Sequence, residues 1–193
     1  MRHLYLCFFL LCTTALSAES LRGFLLTKDN YQLTGYFNKI EYTPTGNQIT
    51  FTNDFGDVYF IHPQLVKGFG FSENGINVRF ISRYHEGQWF FLRMVVPGRL
   101  LQLYSLPDGS DPYVDDQLLR VFETPPAPYW LVSGKDLVLP VPRQGYKRVL
   151  RTFFKENNSE LALVVGKKGY RYKDLAAMVL QFNEERSRRR RRL

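Results

Sequence analysis

Residues 76–106 constrain the fold of this chain most, because they predict three consecutive strands joined by two tight turns. Residues 76–80 alternate apolar and polar side chains, which is the period-two pattern of a half-buried strand. The turn dipeptides Glu86-Gly87 and Pro97-Gly98 bracket residues 89–96, which are apolar on both faces. Because such a strand is usually covered on both sides, residues 89–96 predict the centre of an antiparallel sheet.

The rest of the chain extends this pattern into a β-rich body with a helical end. Short apolar strands precede the hairpin signal Asn74-Gly75, and residues 43–47 predict a loop between two of them. Five prolines between residues 107 and 128 predict a long excursion without regular strand pattern. After residue 142 the apolar spacing becomes helical. It predicts three helices, over residues 146–156, 159–166 and 175–182.

These patterns predict a single α+β domain. Its antiparallel β-rich sheet, either open or barrel-like, is followed by three C-terminal helices that close over it. We predict four segments along the chain. They are a signal peptide at 1–18, the β-rich body at 19–142 with the Pro-rich excursion at 107–128, a helical segment at 143–185 that packs on the sheet, and an Arg-rich disordered tail at 186–193.

The first eighteen residues are typical of a signal peptide. A basic start, the apolar run Leu4–Leu11 and small residues before a cleavage point near Ser17 or Ala18 have the expected order. The run is shorter than the roughly 20 residues that a membrane-spanning helix needs. We therefore predict export to the periplasm or the cell surface. Cys7 and Cys12 both lie in this segment, so the mature chain is expected to contain no disulfide.

The positive charge of the chain is concentrated at its C-terminus. The formal net charge is +8, yet without Arg2 and the tail the chain has 19 basic and 18 acidic residues. We therefore expect no specific nucleic-acid binding. The tail predicts a disordered or frayed end that binds anionic groups. The alternative is that its positive charge only stabilises the negative C-terminal pole of the last helix. The candidate anion-binding residues are Arg186, Arg188, Arg189, Arg190, Arg191 and Arg192.

Motifs of catalysis or metal binding are not found in the sequence. His62 and His85 have no partners at metal-ligand spacing, and we predict no catalytic residue, cofactor or metal site. An acidic loop could hold a weak calcium ion, but the ligand order of an EF-hand is missing, so a solvated loop is favoured. Its residues are Asp108, Ser110, Asp111, Asp115 and Asp116. The many aromatic residues between positions 36 and 91 predict a core rather than an exposed stacking surface.

Several short motifs resemble exported proteins of unknown function that are typical of Bacteroidetes-type bacteria. The resemblance covers most of the mature chain and implies export, a β-rich body and a helical C-terminal part. It brings no catalytic or binding residues, and the polyarginine tail departs from its pattern. The motifs are Leu33–Tyr36, Ile49–Asp57, Pro63–Phe69, Arg83–Leu92, Leu103-Tyr104, Gly166–Leu175 and Gln181–Asn183.

The leading functional hypothesis is a non-enzymatic periplasmic or surface-associated protein that binds a partner or an envelope component. One alternative is an envelope hydrolase that uses paired carboxylates, with Asp54 and Asp57, or Glu86, as candidates at strand turns. Another is binding of the tail to anionic lipid, polysaccharide or nucleic acid.

Overall fold

The computed structural model describes residues 20–108, 111, 114, 127–134 and 137–190, the side chains of residues 189 and 190 excepted. The predicted α+β architecture is confirmed. The strands are β1 (Leu21–Thr27), β2 (Gln32–Thr43), β3 (Gly46–Asn53), β4 (Val58–Ile61), β5 (Val66–Glu73), β6 (Ile76–His85), β7 (Gln88–Val96), β8 (Gln102–Ser105), β9 (Tyr129–Ser133) and β10 (Leu137–Val141). The helices are α1 (Tyr146–Glu156), α2 (Leu161–Val164) and α3 (Leu175–Arg190), with short 3-10 turns at Pro63–Leu65 and Tyr172–Asp174.

The strands of the described residues form one sheet in the order β10-β9-β8-β7-β6-β5-β1-β2-β3-β4. Neighbours in this order run antiparallel. β7 also pairs with β3 in parallel, so β7, β6, β5, β1, β2 and β3 form a closed ring from which β8–β10 extend. The strand predicted at residues 89–96 is therefore central, with β6 and β8 on its two sides.

The ring closes at the beginning of β3, and this closure requires a glycine. Gly46 pairs with Trp89, and a Cβ atom at Gly46 would lie 1.7 Å from the Trp89 carbonyl oxygen. Its φ of 135° is also one that few other residues adopt. Next to it, the Oδ1 of buried Asn47 accepts from the Phe91 N–H at 2.6 Å, and its Nδ2 donates to the Phe91 carbonyl at 3.2 Å. One side-chain amide thus extends the junction between β3 and β7.

Aromatic side chains fill the interior of the ring, as the sequence predicted. Three of the aromatic residues expected in the core are exposed instead, because Tyr59 and Phe60 lie on the edge strand β4 and Tyr84 lies beside the β6–β7 turn. Phe69 stacks on Phe80 with ring centroids 4.3 Å apart, and Phe91 meets Phe69 edge-on at 5.0 Å. Such pairs add about 0.5–1.5 kcal/mol to the free energy that burial itself contributes. The interior phenylalanines, each at most 4% exposed, are Phe37, Phe51, Phe69, Phe71, Phe80 and Phe91.

The three helices form a C-terminal layer that packs on the strands beyond the ring. A second hydrophobic core lies between the helices and the strands. Buried Leu103 contributes to it from the strands, and buried Phe154 and Met178 contribute from the helices. Asn183 of α3 fixes the layer to the β7–β8 connection: its Oδ1 accepts from the Leu101 N–H at 3.0 Å and its Nδ2 donates to the Leu101 carbonyl at 2.8 Å. The predicted packing of a helical segment on the sheet follows from these contacts.

The last helix is longer than the sequence predicted. α3 continues to Arg190, so residues 186–190 are helical where a disordered or frayed tail was expected from residue 186 onward. One reason is an i,i+4 ion pair in which Arg188 Nη2 lies 3.6 Å from Glu184 Oε2. Another is the cationic end itself, because positive charge near the C-terminus of a helix favours the helix dipole.

Parts of the predicted organisation lie outside the described residues. These are the signal peptide at 1–18, residues 191–193 of the tail and most of the Pro-rich excursion at 107–128. In the part of the chain that the structure describes, no helix is both long enough and apolar enough to cross a membrane.

Candidate functional site

A cavity of about 930 Å³ opens where the ring meets the C-terminal layer. It is bordered by the beginning of β6, the ends of β7 and β8, the beginning of β9 and the segments before α1 and α3. Its size is within the usual range for a small-molecule site. We name it the arginine cleft after the three guanidinium groups that line it, those of Arg79, Arg93 and Arg143.

The three arginines differ in how their charge is balanced. Arg93 of β7 forms an ion pair with Asp111, and the Nη1–Oδ1 distance is 2.5 Å. Arg79 of β6 and Arg143 are exposed, and no ion pair forms between either of them and a carboxylate of the described residues. Among the described residues, the other acidic residue that lines the cleft is Asp108. In this part of the chain, arginines therefore outnumber carboxylates along the walls of the cleft.

Asp111 holds the chain where it leaves β8. Its backbone N–H donates to the Asp108 carbonyl at 2.8 Å, and its Oδ2 accepts from the Asp108 N–H at 3.2 Å. The Tyr42 hydroxyl donates to the Pro107 carbonyl in the same segment. Because Asp111 is also paired with Arg93, its carboxylate acts as a structural link between β7 and this turn.

Tyrosine side chains form the wall of the cleft nearest the helices. The rings of Tyr129 and Tyr172 lie 5.5 Å apart at a steep angle, and the Tyr172 hydroxyl donates to the Val141 carbonyl at 3.2 Å. Burial and, to a smaller extent, Tyr129 raise the pKa of Tyr172, the Arg143 guanidinium lowers it, and the resulting pKa is about 12. Tyr172 is therefore a neutral hydroxyl group at physiological pH.

The raised pKa of Tyr172 predicts a loss of stability at alkaline pH. Since the unfolded chain releases this proton near pH 10 and the folded chain only near about pH 12, the free energy of unfolding should fall between these values. In the Tyr172→Phe variant the fall should be shallower. Urea unfolding at a series of pH values measures how steeply the free energy of unfolding falls with pH. An equal fall in wild type and Tyr172→Phe would contradict the raised pKa of Tyr172.

Arg186, the first of the predicted tail residues, has a role within the fold. It is half-buried, its Nη2 donates to the Asn157 carbonyl, and its guanidinium lies over the Phe182 ring at 5.7 Å. Arg188 is exposed and paired with Glu184. The side chains of Arg189 and Arg190, and all of Arg191 and Arg192, lie outside the described residues. Anion binding by the tail stays a prediction, and Arg186 is the member least suited to it.

The carboxylates proposed for a hydrolase do not line the arginine cleft. Asp54 accepts a hydrogen bond from the Thr34 hydroxyl, and Asp57 accepts one from Asn53 Nδ2 at 3.0 Å, so both hold the β3–β4 hairpin. Glu86 lies in a different hairpin, between β6 and β7, at a positive φ of 48°. The structure therefore brings Asp54 and Asp57 together in one turn and leaves Glu86 apart from them.

Where the structure describes the histidines and the acidic loop, their contacts stabilise the fold. His62 caps the following 3-10 turn by accepting from the Gln64 N–H at 3.3 Å, and burial lowers its pKa. His85 meets the Trp130 ring edge-on at 5.1 Å. Among the residues that the structure covers, no three His, Cys, Asp or Glu side chains form a group that could hold a metal ion. Ser110, Asp115 and Asp116 of the acidic loop lie outside them.

Sequence analysis singled out the tail arginines as anion-binding candidates and did not single out those that line the cleft. Arg79 and Arg93 lie on the neighbouring ring strands β6 and β7, and Arg143 reaches the same cavity only because the C-terminal layer packs beside the ring. One local signal was present, because Arg93 is the single charged residue in the apolar run at 89–96. A charge in a central strand is costly unless it is paired or reaches water.

Comparison with known proteins adds no relative: no protein family, curated protein or solved structure matches this chain. The resemblance to exported proteins of Bacteroidetes-type bacteria therefore stays a prediction.

Proposed function

We propose that this protein is an exported, non-enzymatic binding protein of the periplasm or cell surface, and that the arginine cleft holds an anionic amphiphile. By this we mean a molecule with a phosphate or carboxylate head and an apolar chain. The observation that carries the proposal is the meeting of three guanidinium groups and apolar walls in one cavity of about 930 Å³.

The arginines suit the head of such a ligand. A guanidinium donates two parallel hydrogen bonds to phosphate or carboxylate, and it keeps its charge at all physiological pH values. Arg93 is already paired with Asp111, so Arg79 and Arg143 supply the charge for an anion. Arg143 lies beside Tyr172, whose pKa it lowers, and an anion bound there would meet a neutral phenol rather than a phenolate.

The apolar walls suit the chain of the ligand. Ile76 is 67% exposed and Val95 is 41% exposed, and both line the cleft together with half-buried Met94. Covering apolar surface gains about 25 cal/mol for each Å² removed from water. A ligand that lies on these side chains while its head meets Arg143 would therefore use both kinds of surface.

Binding is favoured over hydrolysis by the roles of the carboxylates. Asp111 is held by Arg93 and by the turn to Asp108, while Asp54 and Asp57 hold a hairpin away from the cleft. Each of these groups already makes a structural contact. Arg79 and Arg143, in contrast, line the cavity without an ion pair to a carboxylate of the described residues.

Calorimetric titration with dodecyl phosphate and with dodecanoate tests the proposal. We expect both to bind wild-type protein, neutral dodecanol to bind more weakly, and Arg79→Gln or Arg143→Gln to weaken anion binding about tenfold, or about 1.4 kcal/mol. Arg148→Gln is the matched control, because Arg148 is an exposed arginine of α1 that does not line the cleft. Equal affinity of all three variants and wild type would contradict the proposal.

A truncated chain distinguishes anion binding in the cleft from anion binding by the tail. A chain ending at Ser187 keeps Arg186 with its contacts to Asn157 and Phe182 and removes the remaining arginines. We expect this chain to bind dodecyl phosphate as wild type does. If truncation abolishes binding while Arg143→Gln leaves it unchanged, the anion belongs to the tail and the cleft proposal fails.

A further inference from the structure

Exposed apolar side chains gather at one edge of the sheet, away from the arginine cleft. They come from β4, from the β3–β4 hairpin, from the β1–β2 connection, from the beginning of β2 and from the 3-10 turn after β4. Phe55 is 92% exposed and Phe60 is 66% exposed, and a second cavity of about 400 Å³ opens beside Phe55 and Tyr59. The side chains lie on both faces of β4, with Val58 and Phe60 on one face and Tyr59 on the other. Exposed apolar surface concentrated at one edge marks an interaction site more often than scattered exposed residues do, and we name it the apolar patch. The patch consists of Tyr31, Leu33, Phe55, Val58, Tyr59, Phe60 and Leu65.

β4 is the last strand at this edge of the sheet and offers hydrogen-bonding groups to its outer side. The Asn53 N–H donates to the Asp57 carbonyl at 3.0 Å, and this bond identifies which opposed residues of β3 and β4 are hydrogen-bonded pairs. Hydrogen-bonded pairs alternate along an antiparallel ladder, so Tyr59, opposite Phe51, directs its backbone groups toward β3. The backbone N–H and C=O groups of Val58 and Phe60 therefore point outward.

A second β4 strand fits this edge in one antiparallel register. If Tyr59 lies opposite Tyr59 of a second copy, Val58 lies opposite Phe60 of that copy, and both outward-facing residues of each strand are paired. Asp57 then faces Ile61 of the second copy, so no like charges are opposed. The arrangement is self-complementary, as a two-fold interface must be.

The opposite edge of the sheet is closed to such pairing. β10 carries Pro140, which has no backbone N–H, and α1 packs against the same strand. β4 is short, but it lacks the two protecting features that depend on side chains, since its sequence Val-Tyr-Phe-Ile contains neither proline nor charge. Among the described strands, pairing of β4 with β10 of a second copy is thus the less favourable choice.

We infer that two copies of this chain associate through their β4 strands, which joins the two sheets across a two-fold axis. The interface is formed by the outward backbone groups of Val58 and Phe60 together with the apolar patch around them. It lies apart from the arginine cleft, so the dimer goes beyond the proposed function and does not depend on it.

Sedimentation velocity on the mature chain over a concentration series tests the inference. We expect a dimer that dissociates on dilution, and a dissociation constant at least tenfold higher in Phe60→Lys. Leu163→Lys is the matched control, since Leu163 is a 75% exposed apolar residue of α2 outside both sites and should leave the dimer unchanged. Wild-type protein that is monomeric at every concentration overturns the inference. So does a dimer that Phe60→Lys does not weaken.

A second variant distinguishes strand pairing from simple contact of apolar surfaces. Val58→Pro removes an N–H that points away from β3, so the internal ladder keeps its bonds and the monomer should remain folded by circular dichroism. We expect it to dissociate as Phe60→Lys does. A folded Val58→Pro variant that dimerises as tightly as wild type would show that β4 does not pair, and would overturn the proposed register.

Discussion

Replacing Phe91 with alanine is expected to lower the free energy of unfolding by about 3–5 kcal/mol, the range for deleting a buried aromatic side chain. Phe91 is 0% exposed, lies on the central strand β7 and meets Phe69 edge-on inside the ring. Strands on both sides of β7 fix its backbone, so the neighbouring phenylalanines have little freedom to close the cavity that alanine leaves.

Urea unfolding followed by circular dichroism measures this loss, and the dependence on urea concentration should be unchanged if the variant still unfolds in two states. Phe91→Leu keeps most of the volume and should lose less stability than Phe91→Ala. Leu163→Ala, at a 75% exposed position of α2, should change it by no more than about 0.5 kcal/mol. A Phe91→Ala variant as stable as Leu163→Ala would mean that the ring interior is not the core of this protein.

Replacing Asn47 with alanine should lower the free energy of unfolding by about 2–6 kcal/mol although it removes few atoms. The change leaves the Phe91 N–H and carbonyl groups buried without the partners that the side-chain amide supplied. Each buried group that loses its partner costs about 1–3 kcal/mol. The closure of the ring then rests on the pairing of Gly46 with Trp89 and the hydrogen bond from the Trp89 N–H to the Thr45 carbonyl.

The neighbouring residue supplies the control for the Asn47 variant. Gln48 is half-buried and donates to Glu41 Oε2 at 3.2 Å, so Gln48→Ala should change the free energy of unfolding by no more than about 0.5 kcal/mol. Amide hydrogen exchange gives a second measurement, because the Phe91 N–H should exchange faster in Asn47→Ala than in wild type. Equal stability of the two variants would show that the side-chain amide does not hold the ring closed.

Local features of the sequence were sufficient to predict most of the elements. The helix predicted at 146–156 has the same bounds in the structure, because apolar periodicity and the flanking turns determine them. Residues 43–47 were predicted as a loop, yet Gly46 and Asn47 belong to β3. Their role depends on Trp89 and Phe91, more than forty residues away, and no local pattern reports such a contact.

The candidate site was less accessible to sequence reasoning than the fold. Six tail arginines are conspicuous because they are adjacent, whereas the cleft arginines come from β6, β7 and the segment before α1. Alternation in β6 indicated only that Arg79 lies on a polar face. That Arg79 shares a cavity with Arg143 follows from the way α1 and the turn at Tyr172–Asp174 pack beside the ring, which is a tertiary contact.

The most direct test of ligand binding in the arginine cleft uses the two methionines beyond Met1 as reporters. Met94 lines the cleft, whereas Met178 of α3 is buried in the second hydrophobic core and does not line the cleft. In a titration with dodecyl phosphate, the ε-methyl NMR signal of Met94 should shift in wild-type protein and Met178 should not. The shift should need higher ligand concentration in Arg143→Gln. A Met94 signal that stays in place at saturating ligand, or equal shifts of both methionines, would contradict binding in the cleft.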